Sequence, residues 1–189
     1  MRRLAVYCGS SMGSDPAFAE AARATGEEMA RRGLGLVYGG GKRGLMGVVA
    51  DSVLEAGGEV FGVIPQSLVD LEVAHLGLTE LHTVATMHER KAKMTELTDA
   101  FVAIPGGIGT LDELFEAWTW NALGYHSKPF CLLNVAGFWD RLIEFLDHVT
   151  QSGFMSPARR AQLLVASEIG EAIEKLDEAE KAAETRMVW

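Results

Sequence analysis

The sequence predicts an α/β protein: a doubly wound, Rossmann-like parallel sheet with helices on both faces, in a single domain over residues 1–189. Three observations predict it. Short apolar runs alternate with amphipathic segments along the chain. Each run is rich in branched residues and stops at glycine, proline or polar residues, as strands covered on both faces do. A length of 189 residues suffices for one well-packed core and is short for two ordinary domains. Strict alternation implies right-handed crossovers, and ligands on such sheets sit beyond the carboxyl ends of the strands.

The predicted strands are 4–8 (LAVYC), 34–38 (LGLVY), 60–64 (VFGVI), 100–104 (AFVAI) and 130–135 (FCLLNV), with 162–167 (QLLVAS) a weaker sixth. The first helix starts at Asp15-Pro16, a capping aspartate with proline at the first helical position, and ends at Gly33. Further helices are predicted over 44–56, 86–98, 110–123, 137–151 and 168–183. Residues 65–80 read as an irregular connection long enough to cover a site. From about residue 168 the chain reads as an acidic, solvated helix with a frayed end, and no chemistry is assigned to it. In 110–123, Leu111, Leu114, Phe115, Trp118 and Ala122 form an apolar stripe read as core, and Trp120 lies off it as a candidate subunit contact.

Composition narrows the function. The formal net charge of −9 disfavours a long nucleic acid, because a polyphosphate is repelled at long range, whereas a small anion can still bind where local donors prevail. Cys8 and Cys131 lie in strand-like runs without disulfide or metal spacing and are expected to be reduced core residues. The apolar run 4–8 is too short for a secretion signal and no stretch reaches the roughly 20 apolar residues of a bilayer span, so a cytoplasmic protein without membrane contact is expected. None of the five histidines has a spacing that nominates it, and each reads as a surface or packing residue.

Three strand ends carry small-residue loops: CGSSMGS, GGGKRGLMG and PGGIGT. Glycines admit close approach of an anion, and a helix start beyond them presents free N–H groups. Residues 39–44 satisfy GxGxxG formally, but no acidic residue follows the next strand, which ends at Pro65-Gln66, so a dinucleotide site is disfavoured. Gly44 does not lead into Lys-Ser or Lys-Thr, which excludes a P-loop. In PGGIGTLDE (105–113), Thr110 and Glu113 fit a capping box, which would make Glu113 a mere cap. The alternative is that a phosphate takes the N–H groups of Gly107, Gly109 and Thr110, leaving an ionised Glu113 to face the sugar. Thr86 and Glu89 form a second capping box ahead of Arg90, Lys91 and Lys93. Because that helix precedes the fourth predicted strand, it is expected to start at the opposite sheet edge, with Arg90 and Lys91 on a solvated basic face.

The combination of MHERK (87–91), PGGIGTLDE (105–113), YGGGKRGLMG (38–47) and CGSS (8–11) resembles the Lonely Guy family of cytokinin-activating phosphoribohydrolases, long mislabelled lysine decarboxylases. The resemblance reaches from the first strand to about residue 167. It implies hydrolysis of the N-glycosidic bond of a nucleoside 5′-monophosphate, AMP or an N6-prenylated relative, with neither metal nor cofactor. It implies that Arg90 and Glu113 are the catalytic pair and that Gly107, Gly109 and Thr110 hold the phosphate. Glu72, Lys91 and Thr119 complete the implied substrate contacts, together with Ile108, Leu111 and Asp112 of the signature; Asp112 stands where family members often have glutamate. The resemblance also implies a homodimer. The rival reading is a non-catalytic carrier of a nucleotide or of the molybdenum cofactor, whose carriers resemble this fold. A decarboxylase would need a Schiff-base lysine, and no motif singles one out.

Overall fold

The computed structural model describes residues 1–71 and 74–186. Along the chain run β1 (Arg3–Tyr7), α1 (Pro16–Arg31), β2 (Gly35–Tyr38), α2 (Gly44–Glu55), β3 (Val60–Pro65), α3 (Gln66–Asp70), β4 (Glu80–Val84) and α4 (Met87–Leu97). There follow β5 (Ala100–Ala103), α5 (Ile108–Ala122), β6 (Phe130–Leu133), a 3-10 turn (Val135–Gly137), α6 (Asp140–Gln151), α7 (Pro157–Arg160), β7 (Leu163–Ala166) and α8 (Ile169–Arg186). All strands pair in parallel, in the order β4-β3-β2-β1-β5-β6-β7. The doubly wound sheet is thus as expected, with its order reversing between β1 and β5, where a crevice opens at the carboxyl edge.

Each interior strand is buried on both faces, and its alternate residues serve two cores. Leu36, Tyr38, Val102 and Ile104 join Met29, Val49 and Ile173 on the side of α1, α2 and α8. Val37, Phe101 and Phe61 join Met94, Leu114, Trp118 and Leu146 on the side of α4, α5 and α6. On that second side Phe101 stacks between Tyr7 and Phe130, with ring centroids 5.6 and 5.3 Å apart. Helix α1 begins as expected, Asp15 accepting the Ala17 N–H ahead of Pro16.

Three expectations change. The C-terminal helix is not wholly solvated: Ala172, Ile173 and Leu176 are buried, and the N-terminal amine of Met1 pairs with Asp177 and Glu180. On α5 the buried stripe is Thr110, Glu113, Leu114, Ala117 and Trp118, while Leu111 and Phe115 are half-buried and Ala122 is exposed. The helical period therefore carries Glu113 inward with the core positions.

The third change matters most for function. The 65–80 connection contains α3 and leads into β4, an edge strand absent from the predicted set. ELHTV carries a charge and a histidine among its five residues and none of the five is fully buried, so it lacks the apolar run that marks the interior strands. With β4 parallel to β3, the chain returns to the carboxyl edge before α4 begins. Helix α4 therefore starts beside the other strand ends, and its first turn faces the crevice.

Candidate active site

Arg90 occupies the first turn of α4, whose start is capped by Thr86 Oγ1 accepting the Glu89 N–H at 3.1 Å. The Glu89 carboxylate reaches back to the Ala85 N–H, one residue before the partner a strict capping box would use. Arg90 is buried: Nε donates to the Val63 carbonyl at 3.1 Å, and Nη1 lies 3.0 Å from Glu113 Oε1. The solvated face expected from periodicity is overturned for this residue, because β4 places its helix at the other end of the sheet. Gly39 makes room for it, since a Cβ there would sit 1.9 Å from Nη2.

Glu113 is 9% exposed. Burial raises its proton affinity above that of an ordinary glutamate, and the adjacent Arg90 charge works against that rise. The helix-start argument for an ionised carboxylate is thus only part of the balance; Arg90 is the main group that favours the charge, with Lys91 adding to it. Tyr7, at the end of β1, is pushed well above the usual phenol range by burial and then by the Glu113 charge.

The start of α5 is bare. Its N-cap is Gly107, with no side-chain cap, and the first intrahelical bond runs from Leu111 N–H to Gly107 O at 3.2 Å. The N–H groups of Ile108, Gly109 and Thr110 therefore have no intrahelical partner. Thr110 lies inside the helix and caps nothing, so the capping-box reading of Thr110 and Glu113 fails. Gly106 is required by packing, since its Cβ would meet Thr110 Oγ1 at 2.1 Å and Gly9 N at 2.8 Å. Gly107 and Gly109 are different. A Cβ at either would touch nothing within 4 Å, and neither has a positive φ. The open space sits over a row of unpaired donors, the arrangement that binds phosphate. Beside it a cavity of about 240 Å³ is lined by Gly9, Ser10, Met12, Phe18, Gly106 and Gly107. A larger groove, about 540 Å³, lies between α1 and the start of α8 and carries Glu27, Glu28 and Glu168, carboxylates unsuited to an anion.

The other expected site residues separate into groups. Lys91 is not on a solvated face either: its ammonium bridges Asp112 at 3.0 Å and Glu116 at 2.9 Å, with 11% of the side chain exposed. Burial lowers its proton affinity, but the Glu116 and Asp112 carboxylates outweigh that and leave it raised. Ile108, Leu111, Asp112 and Thr119 line an outward groove along α5 with Phe115 and Trp120. Thr119 is ten residues beyond Gly109, about 15 Å along the helix axis, so a single copy does not bring it to the phosphate turn. Glu72 lies outside the described residues. Sequence reasoning missed Gly39, Tyr7 and the Val63 carbonyl as neighbours of the pair; the triple glycine at 39–41 was the available signal for the first.

The family described as possible lysine decarboxylase matches residues 46–176. A cytokinin riboside 5′-monophosphate phosphoribohydrolase of Oryza sativa subsp. japonica is 45% identical over 188 residues, all of this chain and 78% of that protein. One from Rhodococcoides fascians is 46% identical over 91% of this chain and 87% of its own length. The chain belongs to this phosphoribohydrolase family. The family's fold extends to more distant proteins: the molybdenum cofactor binding protein of Rippkaea orientalis superposes with a TM-score of 0.71 at 20% identity, covering 94% of this chain and 96% of that one. For the decarboxylase description the site offers little. Lys91 is held between two carboxylates, and Lys128, whose proton affinity burial lowers, donates to the Thr95 carbonyl at the opposite edge of the sheet.

Proposed function

We infer that the protein hydrolyses the N-glycosidic bond of adenosine 5′-monophosphates, with or without an N6 substituent, to free base and ribose 5-phosphate. The observation that carries this reading is the buried Arg90–Glu113 pair, 3.0 Å apart, beside a helix start whose N–H groups and empty glycine turn suit a phosphate. The substrate class follows from the names of relatives about 45% identical over most of the chain.

In this mechanism the phosphate sits on Gly107, Gly109 and Thr110, which leaves the ribose toward Glu113. As the bond from the anomeric carbon to the base nitrogen breaks, positive charge develops on the sugar. The Glu113 carboxylate stabilises that charge in a site where water cannot screen it. Arg90 orients the carboxylate by a charge-assisted bond and favours its ionised form. Water oxygen bonds to the anomeric carbon, and a water proton accompanies the departing base.

Two finer proposals belong here. The outward face of α5 presents Ile108, 87% exposed, with half-buried Leu111, Phe115 and Trp120, a run of apolar side chains suited to a second copy. In such a homodimer, Lys91, Asp112 and Thr119 would approach nucleotide from across the interface. A monomer by light scattering at micromolar concentration contradicts it. The buried free thiols of Cys8 and Cys131 suit a reducing compartment, which supports a cytoplasmic location.

The decisive assay incubates the protein with AMP and with isopentenyladenosine monophosphate, without added metal, and follows free base by chromatography. Release of base with stoichiometric ribose 5-phosphate is expected. Retention of intact nucleotide through dialysis, with no base formed, would instead mark a carrier.

A further inference from the structure

The glycine turn against which Arg90 packs is itself clasped from outside. Ala74 forms an antiparallel bridge with Gly41, and the His75 N–H donates to the Gly40 carbonyl at 2.9 Å. The His75 side chain, 14% exposed, is engaged at both ring nitrogens. Nδ1 accepts the Gly77 N–H at 3.1 Å, so the ring proton resides on Nε2, which donates to Asp51 Oδ1 on α2 at 2.9 Å. The imidazole thus ties the 74–77 segment to α2, while the backbone of Ala74 and His75 ties that segment to the turn after β2.

That turn has no slack. Gly40 has φ +72°, and a Cβ on it would lie 3.1 Å from the Ile64 side chain. Gly39 leaves no room for even a methyl group against the Arg90 guanidinium. Movement of the turn by a fraction of an ångström therefore either presses backbone on Arg90 or opens a gap behind it. Arg90 has two other restraints, the Val63 carbonyl and Glu113. Neither blocks its guanidinium on the side of Gly39.

We propose that His75, locked by Asp51 and Gly77, is a positioning residue for the Arg90–Glu113 pair, acting through the Gly39–Gly41 turn. Its catalytic consequence rests on the reading of that pair as the reacting centre. His75 needs no contact with nucleotide for this role, and neither does Asp51.

The test compares full-length wild type with His75→Ala, Asp51→Ala and His75→Gln, with His82→Ala as a control that removes a histidine–carboxylate contact on β4 instead. Two readouts are taken below the unfolding range: the NMR resonance of the Arg90 Nε–H, identified by its disappearance in Arg90→Lys, and kcat and KM for AMP. His75→Ala and Asp51→Ala are expected to move the resonance toward that of a free guanidinium and to lower kcat about tenfold, leaving KM within about twofold of wild type. His75→Gln, whose amide can still donate to Asp51, recovers part of both effects, and His82→Ala shows neither. An unmoved Arg90 resonance in both truncations overturns the clasp. A moved resonance with unchanged kcat overturns its part in positioning catalysis. Failure of the wild type to release base counts against the phosphoribohydrolase reading, while the resonance still decides whether the clasp holds Arg90.

Discussion

The turn after β2 contains Gly39, Gly40, Gly41 and Gly44, and the turn after β5 contains Gly106, Gly107 and Gly109, yet glycine serves different ends in the two. After β2 it permits contact. Gly39 lets Arg90 lie against backbone, and Gly44, at φ +60°, would drive a Cβ to 2.3 Å from Ser10. After β5, Gly107 and Gly109 face open space that no protein atom fills. The comparison teaches that a glycine-rich motif mixes packing glycines with vacancy glycines, and that only the latter point to a ligand.

Substitutions can break or sharpen this contrast. The largest effect belongs to the carboxylate that both turns serve: Glu113→Gln, which keeps an acceptor for Arg90, should lower kcat by about 10²–10³-fold with an unchanged circular dichroism spectrum. Turnover at the wild-type rate would reduce Glu113 to a structural residue. In the wild type, activity needs the ionised carboxylate, and burial raises its proton affinity above the ordinary glutamate value of 4.5. Activity should therefore be lost as pH falls, with a midpoint above that value in the kcat/KM profile.

Next comes Gly39→Ala, which places a methyl group where the guanidinium lies. It should cost about 1–3 kcal/mol of stability by overpacking and reduce kcat/KM strongly, since the displaced group is Arg90. Denaturant unfolding and initial rates read the two effects together. Gly109→Ala should do the reverse to the fold. Alanine in the first turn of α5 stabilises by about 0.4–1 kcal/mol, while its methyl group intrudes on the phosphate and raises KM for AMP. A stabilised variant with normal KM would show that the space over α5 is not the phosphate site.

The smallest effect lies away from both turns. His126 packs against the stacked rings of Phe101 and Phe130, and burial lowers its pKa from 6.5 to about 4. The unfolded chain binds this proton more readily than the folded one, so stability present above pH 6.5 is lost as pH falls toward 4. His126→Phe should flatten the fall of melting temperature across that window. An equal fall in both proteins would assign the acid sensitivity to other groups.

Much of the fold was legible because buried parallel strands are apolar on both faces and stand out as β1, β2, β3, β5 and β6. The weaker sixth run proved to be β7, at one edge of the sheet. The opposite edge strand, β4, has a neighbour on one side only and keeps its charge and histidine, so its pattern resembled a loop. That one omission sent Arg90 and Lys91 to the wrong end of the sheet. The resemblance of MHERK and PGGIGTLDE to a family paired Arg90 with Glu113 where periodicity argued against it, and the structure brings the two side chains to 3.0 Å.

By itself the sequence determined the alternation of elements, the glycine turns at strand ends and the capped start of α1. Those follow from local pattern, because side-chain direction repeats every two residues in a strand and every 3.6 in a helix. Only the tertiary structure decided that Arg90 meets Glu113, that Lys91 is neutralised by Asp112 and Glu116, and which glycines border a void. Each of these depends on where a distant segment returns to the sheet, and no local period encodes that return.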